Sequence, residues 1–488
     1  MKLLLLLPIL LPLIACIAIS FIKDSKKVLF NGVILLSIVL SFATIVINFC
    51  LNDSFVKLIS FGKDLNFSFQ VDGLSKFFSI AISFVYILIT VYSFKYMDKQ
   101  ENLKRFYYFY LSTLSMLISL CYSANLLTMY ICFEMVTLCS MPLVLHSLTK
   151  ESINAAKKYL FYSLGGAFLA LFGIVFLTYY SAGDTTFIFG GLEVFKGGNF
   201  TGSIQLANVA IFFLIIGFSC KAGMFPMNGW LPTAHSVAIS NSSALLSGVI
   251  TKAGIIAIIR VIYYVIGPEF ILNSWVQYTF LAFACFSILL GSLLAFVEKN
   301  LKKRLAYSSV SQLSYILVGV GLLTTSSLNA ALIHVIAHML CKVCLFLFAG
   351  AVIYKFDKKK VDELNGIGKI MPISTWSFTI ASLGLIGIPF TIGFVSKYNL
   401  AISSLESSIV AFNYIILIVL FISALLTAAY LLPITFNGFF IKAKGDSNKY
   451  NDVKPTLFIP MLILAVLIVV FGIFNQTIIE VISSITNI

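Results

Sequence analysis

Fourteen apolar stretches, separated by short loops that carry most of the lysines, leave one class of fold open to this chain. A spanning helix needs about 20 apolar residues, because a rise of about 1.5 Å per residue must cover a hydrocarbon core of about 30 Å. The stretches run at roughly 3–22, 28–50, 73–94, 106–122, 124–147, 155–180, 204–229, 242–266, 275–297, 305–324, 328–353, 374–403, 408–440 and 456–482. Over 488 residues, 60% are hydrophobic and only 11% charged, which no soluble domain of this size matches. Inside lipid every backbone N–H and C=O must be satisfied within its own segment. The chain therefore reads as all-α: a polytopic membrane protein with about 14 transmembrane helices, residues 1–488 forming a single membrane domain. Met1 to Phe21 begins like a signal peptide, with Lys2 ahead of an apolar run. The run is long and lacks a small-residue cleavage pattern, so it reads as a first spanning helix. The longest loops, 51–72 and 181–203, insert no soluble domain; Gly190-Gly191 and Gly197-Gly198 mark the second as turn-rich.

The net charge of +14 forms no patch that would suit a nucleic acid. Twenty-three of the 33 Lys and Arg residues fall in loops that follow odd-numbered stretches. These are Lys23, Lys26 and Lys27; Lys95, Lys99, Lys104 and Arg105; Lys150, Lys157 and Lys158; Lys299, Lys302, Lys303 and Arg304; Lys355, Lys358, Lys359, Lys360 and Lys369; and Lys442, Lys444, Lys449 and Lys454. The opposite side holds Lys2, Lys57, Lys63, Lys76 and Lys196. The positive-inside rule then makes the first set of loops cytoplasmic and puts both termini outside, in the cell membrane. Nine cysteines lie in or beside apolar runs, without iron–sulfur or zinc spacing. Cys341 and Cys344 read as two small apolar residues of a helix. No GxGxxG or Walker loop precedes a helix. No cofactor and no metal site is expected, and no catalytic residue.

Five basic residues remain at membrane depth: Lys221, Lys252, Arg260, Lys342 and Lys397. Each lysine in hydrocarbon costs about 2.5–3.5 kcal/mol, so it needs a reason to stay. Arg260 comes near the end of its stretch and is expected to snorkel to the surface. Lys221 stands beside a break built from Pro226, Gly229, Trp230 and Pro232. Broken helices are tolerated only inside protein or against a watery cavity. Snorkelling would explain Lys221 alone, but not Lys252 well inside the next apolar run. Glu134 lies about ten residues into the fifth stretch with no cation within one turn, so its carboxyl is expected to be paired or protonated. His334, His338 and Lys342 follow i, i+4, i+8 spacing. They share one side of a helix and climb roughly 12 Å, a ladder that can hand protons along. Lys397 follows a second break, at Gly387, Pro389 and Gly393. Paired broken helices in two halves are the sequence sign of a transport site.

Lys221 with MFPMNGWLP, then His235, SALLSG and Lys252-Ala-Gly, and the H-x3-H-x3-K run followed by LFLFAG, carry a resemblance. Over about residues 70–440 the chain resembles the antiporter-like subunits of respiratory complex I, of energy-converting membrane-bound hydrogenases and of Mrp-type antiporters. It departs at Thr233, where many members have Asp, and at SVAISNSSA, which replaces a proline-richer run. The resemblance implies two inverted five-helix repeats, stretches 4–8 (106–266) and 9–13 (275–440), with helices 7 and 12 broken. It matches Glu134 to a glutamate that pairs with Lys221, and it makes Lys397 the end of the path. Lys397 is shared with relatives of the distal complex I subunit, with Mrp subunits and with some hydrogenase subunits. No long lateral helix follows the last stretch, which points away from the distal complex I subunit itself. The implied function is a non-catalytic, proton-translocating subunit of a redox-driven complex, energy-converting hydrogenase or complex I-like, using Glu134, Lys221, Lys252, His334, His338, Lys342 and Lys397. Its partners would be other membrane subunits and iron–sulfur or nickel–iron redox subunits, because nothing in this chain supplies energy. The alternative is a subunit of a Mrp-type multisubunit sodium/proton antiporter; SALLSG and the setting of His235 favour the first. A membrane scaffold with purely structural polar residues is the third reading.

Overall fold

The computed structural model describes residues 2–23, 25–50, 55–61, 65–441 and 452–486. Lys63, Lys442, Lys444 and Lys449 of the charge pattern lie outside the described residues. Each of the fourteen apolar stretches contains helix. The first six are α1 (Lys2–Phe21), α2 (Lys27–Cys50), α3 (Gly73–Tyr96), α4 (Leu103–Tyr122), α5 (Leu126–Val144) and α6 (Lys150–Tyr180). Then come α7 (Ile204–Ala222), α8 (Trp230–Val237) and α9 (Ser240–Ile266). The second half contains α10 (Trp275–Val297), α11 (Leu301–Gly321), α12 (Thr325–Phe356), α13 (Pro372–Ile386), α14 (Ile392–Leu405) and α15 (Val410–Phe440). The chain closes with α16 (Pro455–Ile473) and α17 (Asn475–Thr486).

Among the described residues, 11 helices are long and apolar enough to cross a bilayer, so this is a multi-pass membrane protein. The stretches outside that set have physical reasons. α4 and α11 are 20 and 21 residues long, but Lys104, Arg105 and four tyrosines in one, and Lys302, Lys303, Arg304 and the SSVSQLS run in the other, dilute their apolarity. The twelfth stretch is split between α13 and α14. Phe161, Phe168, Phe172 and Val175 of α6, and Tyr414, Ile418 and Phe421 of α15, face outward as an apolar belt that a bilayer would cover. α9 and α12 lie at the opposite extreme, almost wholly enclosed by other helices.

Three local features differ from expectation, and a fourth, the break in the seventh stretch, is present as expected. Residues in the loop 51–72 form an antiparallel hairpin, β1 (Phe55–Phe61) with β2 (Leu65–Gln70), pairing Phe55 with Gln70 and Phe61 with Leu65. The seventh stretch stops as a helix at Ala222. Gly223 follows with φ of +72°, a left-handed cap that a side chain resists, and the helix resumes only at Trp230. α9 contains two π-helical segments, Leu246–Ile250 and Arg260–Ile266, flanking the turns that hold Lys252. The last stretch ends at Ile473 rather than 482, and α17 turns away as a separate amphipathic helix on α3 and α12.

Small residues set how closely the helices meet. A side chain at Gly166 or Gly173 of α6, or at Gly217 of α7, would collide with the backbone of the other helix. Close approach through glycine is how helices gain packing energy where lipid gives no hydrophobic drive. Gly254 of α9 likewise sits against the backbone of Phe218 and Ala222 in α7. That contact brings the helix carrying Lys252 onto the end of the helix carrying Lys221.

Candidate functional site

The expected ladder on α12 is present, and its three rungs reach three different helices. His338 Nδ1 lies 2.6 Å from Lys252 Nζ of α9, close enough for the imidazole to accept an ammonium proton. Lys252 also donates to the Ser247 carbonyl at 2.9 Å. Ser247 belongs to the π segment just before Lys252, where the shifted helical pattern leaves backbone groups open to a side chain. One turn along α12, His334 Nδ1 lies 2.8 Å from Ser396 Oγ of α14. That hydroxyl donates to the Gly393 carbonyl at 2.9 Å, so it accepts the proton on Nδ1. One turn the other way, Lys342 donates to the Leu305 carbonyl of α11 at 2.9 Å and to the Ser308 hydroxyl. Lys342 therefore turns toward the Lys302–Arg304 end of α11.

Lys397 caps a broken helix. Its Nζ donates to the Leu385 carbonyl at 2.7 Å and the Ile386 carbonyl at 3.0 Å, the last turn of α13. Helix C-termini carry partial negative charge, so an ammonium is favoured there. Tyr315 joins this end to the ladder. Its ring stacks on His334 with centroids 5.4 Å apart, and Lys397 Nζ lies 4.9 Å from the same ring. Lys252 with His338, and His334 with Ser396, Tyr315 and Lys397, thus form two contact groups one helical turn apart on α12.

At the other end, Lys221 occupies the last turn of α7 and is fully buried. Its ammonium donates to the Phe133 carbonyl of α5 and lies 3.7 Å from the Phe133 ring centroid. The expected contact with Glu134 takes a different form. No ion pair joins the two among the described residues, and Glu134 Oε1 is buried without a hydrogen-bond partner. Glu134 is adjacent in sequence to the residue that holds Lys221, on a face of α5 where Met135 and Leu138 are exposed. Trp230 Nε1 donates to the Cys220 carbonyl at 2.9 Å, which ties α8 back onto α7 across the break. Thr233, the departure from the family pattern, accepts from Lys158 Nζ at 3.2 Å.

Arg260 does not snorkel. It is 1% exposed and makes a two-point contact with Asp72, the N-cap of α3, with Arg260 Nη2 at 2.8 Å from Asp72 Oδ1 and 3.0 Å from Ser75 Oγ. The guanidinium carbon lies 4.9 Å from the Phe187 ring and 4.4 Å from that of Tyr264. Its sequence position near a segment end suggested surface access; the loop carrying Phe187 covers it instead.

Other buried polar groups on these helices had no place in the expected set. Gln312 of α11 is fully buried with both side-chain polar atoms unpartnered. His235, at 0% exposure, stacks on Phe346 and leaves both ring nitrogens unpartnered. Nε2 of His334 and of His338 are unpartnered too. The signal for α11 was in the sequence: SSVSQLS is too polar for a lipid-facing span.

A family model described as NADH:quinone oxidoreductase/Mrp antiporter, TM, matches residues 123–445, and one described as NADH-Ubiquinone oxidoreductase (complex I), chain 5 N-terminus, matches residues 58–107. NADH-quinone oxidoreductase subunit N of Desulforudis audaxviator is 29% identical over 430 residues, covering 84% of this chain and 82% of that protein. Na(+)/H(+) antiporter subunit A1 of Staphylococcus saprophyticus is 31% identical, covering 84% of this chain and 52% of its own length. Hydrogenase-4 component B of Escherichia coli is 31% identical, covering 67% of this chain and 50% of its own. This chain spans about half the length of those last two relatives. A chain of the membrane-bound sulfane sulfur reductase, an archaeal respiratory membrane complex, shares the fold with a TM-score of 0.86 at 20% identity, over 99% of this chain and 97% of that one.

Proposed function

We propose that this chain, which belongs to the NADH:quinone oxidoreductase/Mrp antiporter transmembrane family, is a proton-translocating membrane subunit of a redox-driven complex. The observation that carries the proposal is the Lys252–His338 hydrogen bond between the two most enclosed helices, continued through His334 to Lys397. Two basic groups 2.6 Å apart in a site without a carboxylate hold one proton between them. A proton arriving at Lys252 can pass to His338, leave from its free Nε2 side toward His334, and reach Lys397 at the second break. Lys221 loads the path, with Glu134 as the acid beside it. Lys342 connects the path to the lysine-rich end of α11. Stretches 4–8 and 9–13 act as two inverted halves, residues 106–266 and 275–440, and the lysine-rich loops lie on the cytoplasmic side with both termini outside.

Moving a charge against a membrane potential requires about 2.3 kcal/mol per 100 mV. Other membrane subunits and iron–sulfur or nickel–iron redox subunits would provide it. The test is reconstitution of the purified complex in liposomes with electron flow as the driving force. Glu134→Gln is expected to reduce proton uptake to a few per cent while leaving the complex assembled. Normal pumping in that variant would sink the proposal that Glu134 loads Lys221. Mass spectrometry of what co-purifies separates the parent assemblies. Redox subunits support the proposal, whereas small membrane subunits alone, with sodium-dependent transport, would assign the chain to a Mrp-type antiporter.

A further inference from the structure

The face of α12 turned away from its histidines borders a feature that the proton path does not use. Ile336, Met339 and Leu340 lie on the side of the helix opposite His334, His338 and Lys342. There they line a crevice of about 420 Å³ enclosed by α2, α3, α12, α16 and α17. Thr477 is its one polar lining residue. On α3 the lining positions are 77, 80, 81, 84 and 85, an i, i+3, i+4, i+7, i+8 stripe that runs down from the hairpin end of the helix. The amphipathic α17 forms the lip, and its Ile482 and Ile485 face inward.

A cation stands at the head of the stripe. Lys76 precedes Phe77, the first lining residue of α3, and its ammonium lies 5.4 Å from the ring of Phe49, which also lines the crevice. Among the described residues no ion pair engages Lys76. The carboxylate one turn back on its own helix, Asp72, is held by Arg260. A narrow apolar slot, topped by a lysine that no described carboxylate pairs, matches an acyl chain beneath a phosphate. It offers no buried hydrogen-bonding group for a polar ring, and a partner helix would leave the ammonium without an anion.

We propose that this crevice binds one phospholipid of the leaflet on the hairpin side, its acyl chain along the α3 stripe and its phosphate against Lys76. The tail fills the back of α12 and so holds the histidine face against α9, α11 and α14. The site is independent of the transport reading, because it rests on the crevice and the lysine alone.

Native mass spectrometry of the intact complex released from detergent tests it. The wild type is expected to retain one phospholipid per copy of this chain. Ala81→Trp, which fills the slot, should abolish retention, and Lys76→Gln should lower it at least fivefold. If the tryptophan variant does not fold, the milder Lys76→Gln decides alone. A photo-reactive residue at Phe84 should label lipid. The proposal is overturned if the wild type carries no lipid, if retention is unchanged in the variants, or if the Phe84 probe captures a neighbouring subunit instead.

Discussion

Replacing Asp72 with asparagine isolates one charge at the buried Arg260–Asp72 ion pair. Asp72 has two duties: it caps α3 by accepting from the Ser75 N–H at 2.9 Å, and it neutralises Arg260. Asparagine is as good an N-cap as aspartate, so Asp72→Asn keeps the cap and removes the charge. Arg260 is 1% exposed, so solvent screens its uncompensated charge only weakly. Breaking one side of such a pair costs about 3–5 kcal/mol. The amide oxygen still accepts one guanidinium N–H, so the expected loss is at the lower end, about 3 kcal/mol. Asp72→Ala should cost about 1 kcal/mol more, the value of the cap. Adding Arg260→Met to Asp72→Asn removes the stranded cation, and an apolar replacement of a buried pair is often neutral, so the double variant should regain most of the loss. The assay is unfolding in mixed micelles titrated with dodecyl sulfate. Burial alone would raise the Asp72 carboxyl, but the charge and hydrogen bonds of Arg260 outweigh it and hold the group below the usual carboxylate range. A carboxyl depressed on folding stabilises above its unfolded value of about 3.9 and loses that contribution as pH falls through the lower folded value. The gap between wild type and Asp72→Asn should therefore stay constant from about pH 5 to 8 and close in stronger acid. A single variant within about 0.5 kcal/mol of wild type, or a double variant no better than the single, would refute the reasoning.

Two further outcomes follow from the packing and the ladder. Gly217→Val would drive a side chain into the backbone of α6 and should cost about 1–3 kcal/mol in the same unfolding assay, with no effect expected from a comparable change at the open position Gly165. Ser396→Ala removes the acceptor on His334 Nδ1; at about 1 kcal/mol for one hydrogen bond, proton translocation should fall roughly fivefold, while Ser396→Thr keeps the hydroxyl and should retain activity.

The helices were legible because each span must satisfy its backbone alone, so every crossing leaves a run of apolar residues long enough to count. The lysines were legible for the converse reason: a cation in such a run is costly and stands out. The partners were not. Arg260 and Asp72 are 188 residues apart, and no spacing rule connects the end of one span to the cap before another. Only the structure shows that the hairpin feeds Asp72 into α3 and that the 181–203 loop lays Phe187 over the pair. The hairpin escaped because six of the seven residues of β1 are exposed, so no alternation of burial marks it. The π segments of α9 have no residue signature, although one of them supplies the carbonyl that Lys252 uses. Gln312 carries no charge to set it apart from the rest of the polar SSVSQLS run, although it is fully buried.

The two breaks do different work for their lysines, although both place an ammonium at the carbonyl end of a half-helix. An unbroken helix has no free carbonyl at mid-membrane; a break exposes several, together with about half a unit of negative charge. At Lys397 that offsets part of the roughly 2.5–3.5 kcal/mol that a buried lysine costs. Lys397 draws its acceptors from Leu385 and Ile386, across the break in its own helical hairpin. Lys221 instead reaches to Phe133 on a separate helix, next to the carboxylate of Glu134. A shift of α5 against α7 would change the surroundings of Lys221 and leave those of Lys397 intact. On the proposed path, Lys221 would be the end open to adjustment and Lys397 the end held within its own helical hairpin.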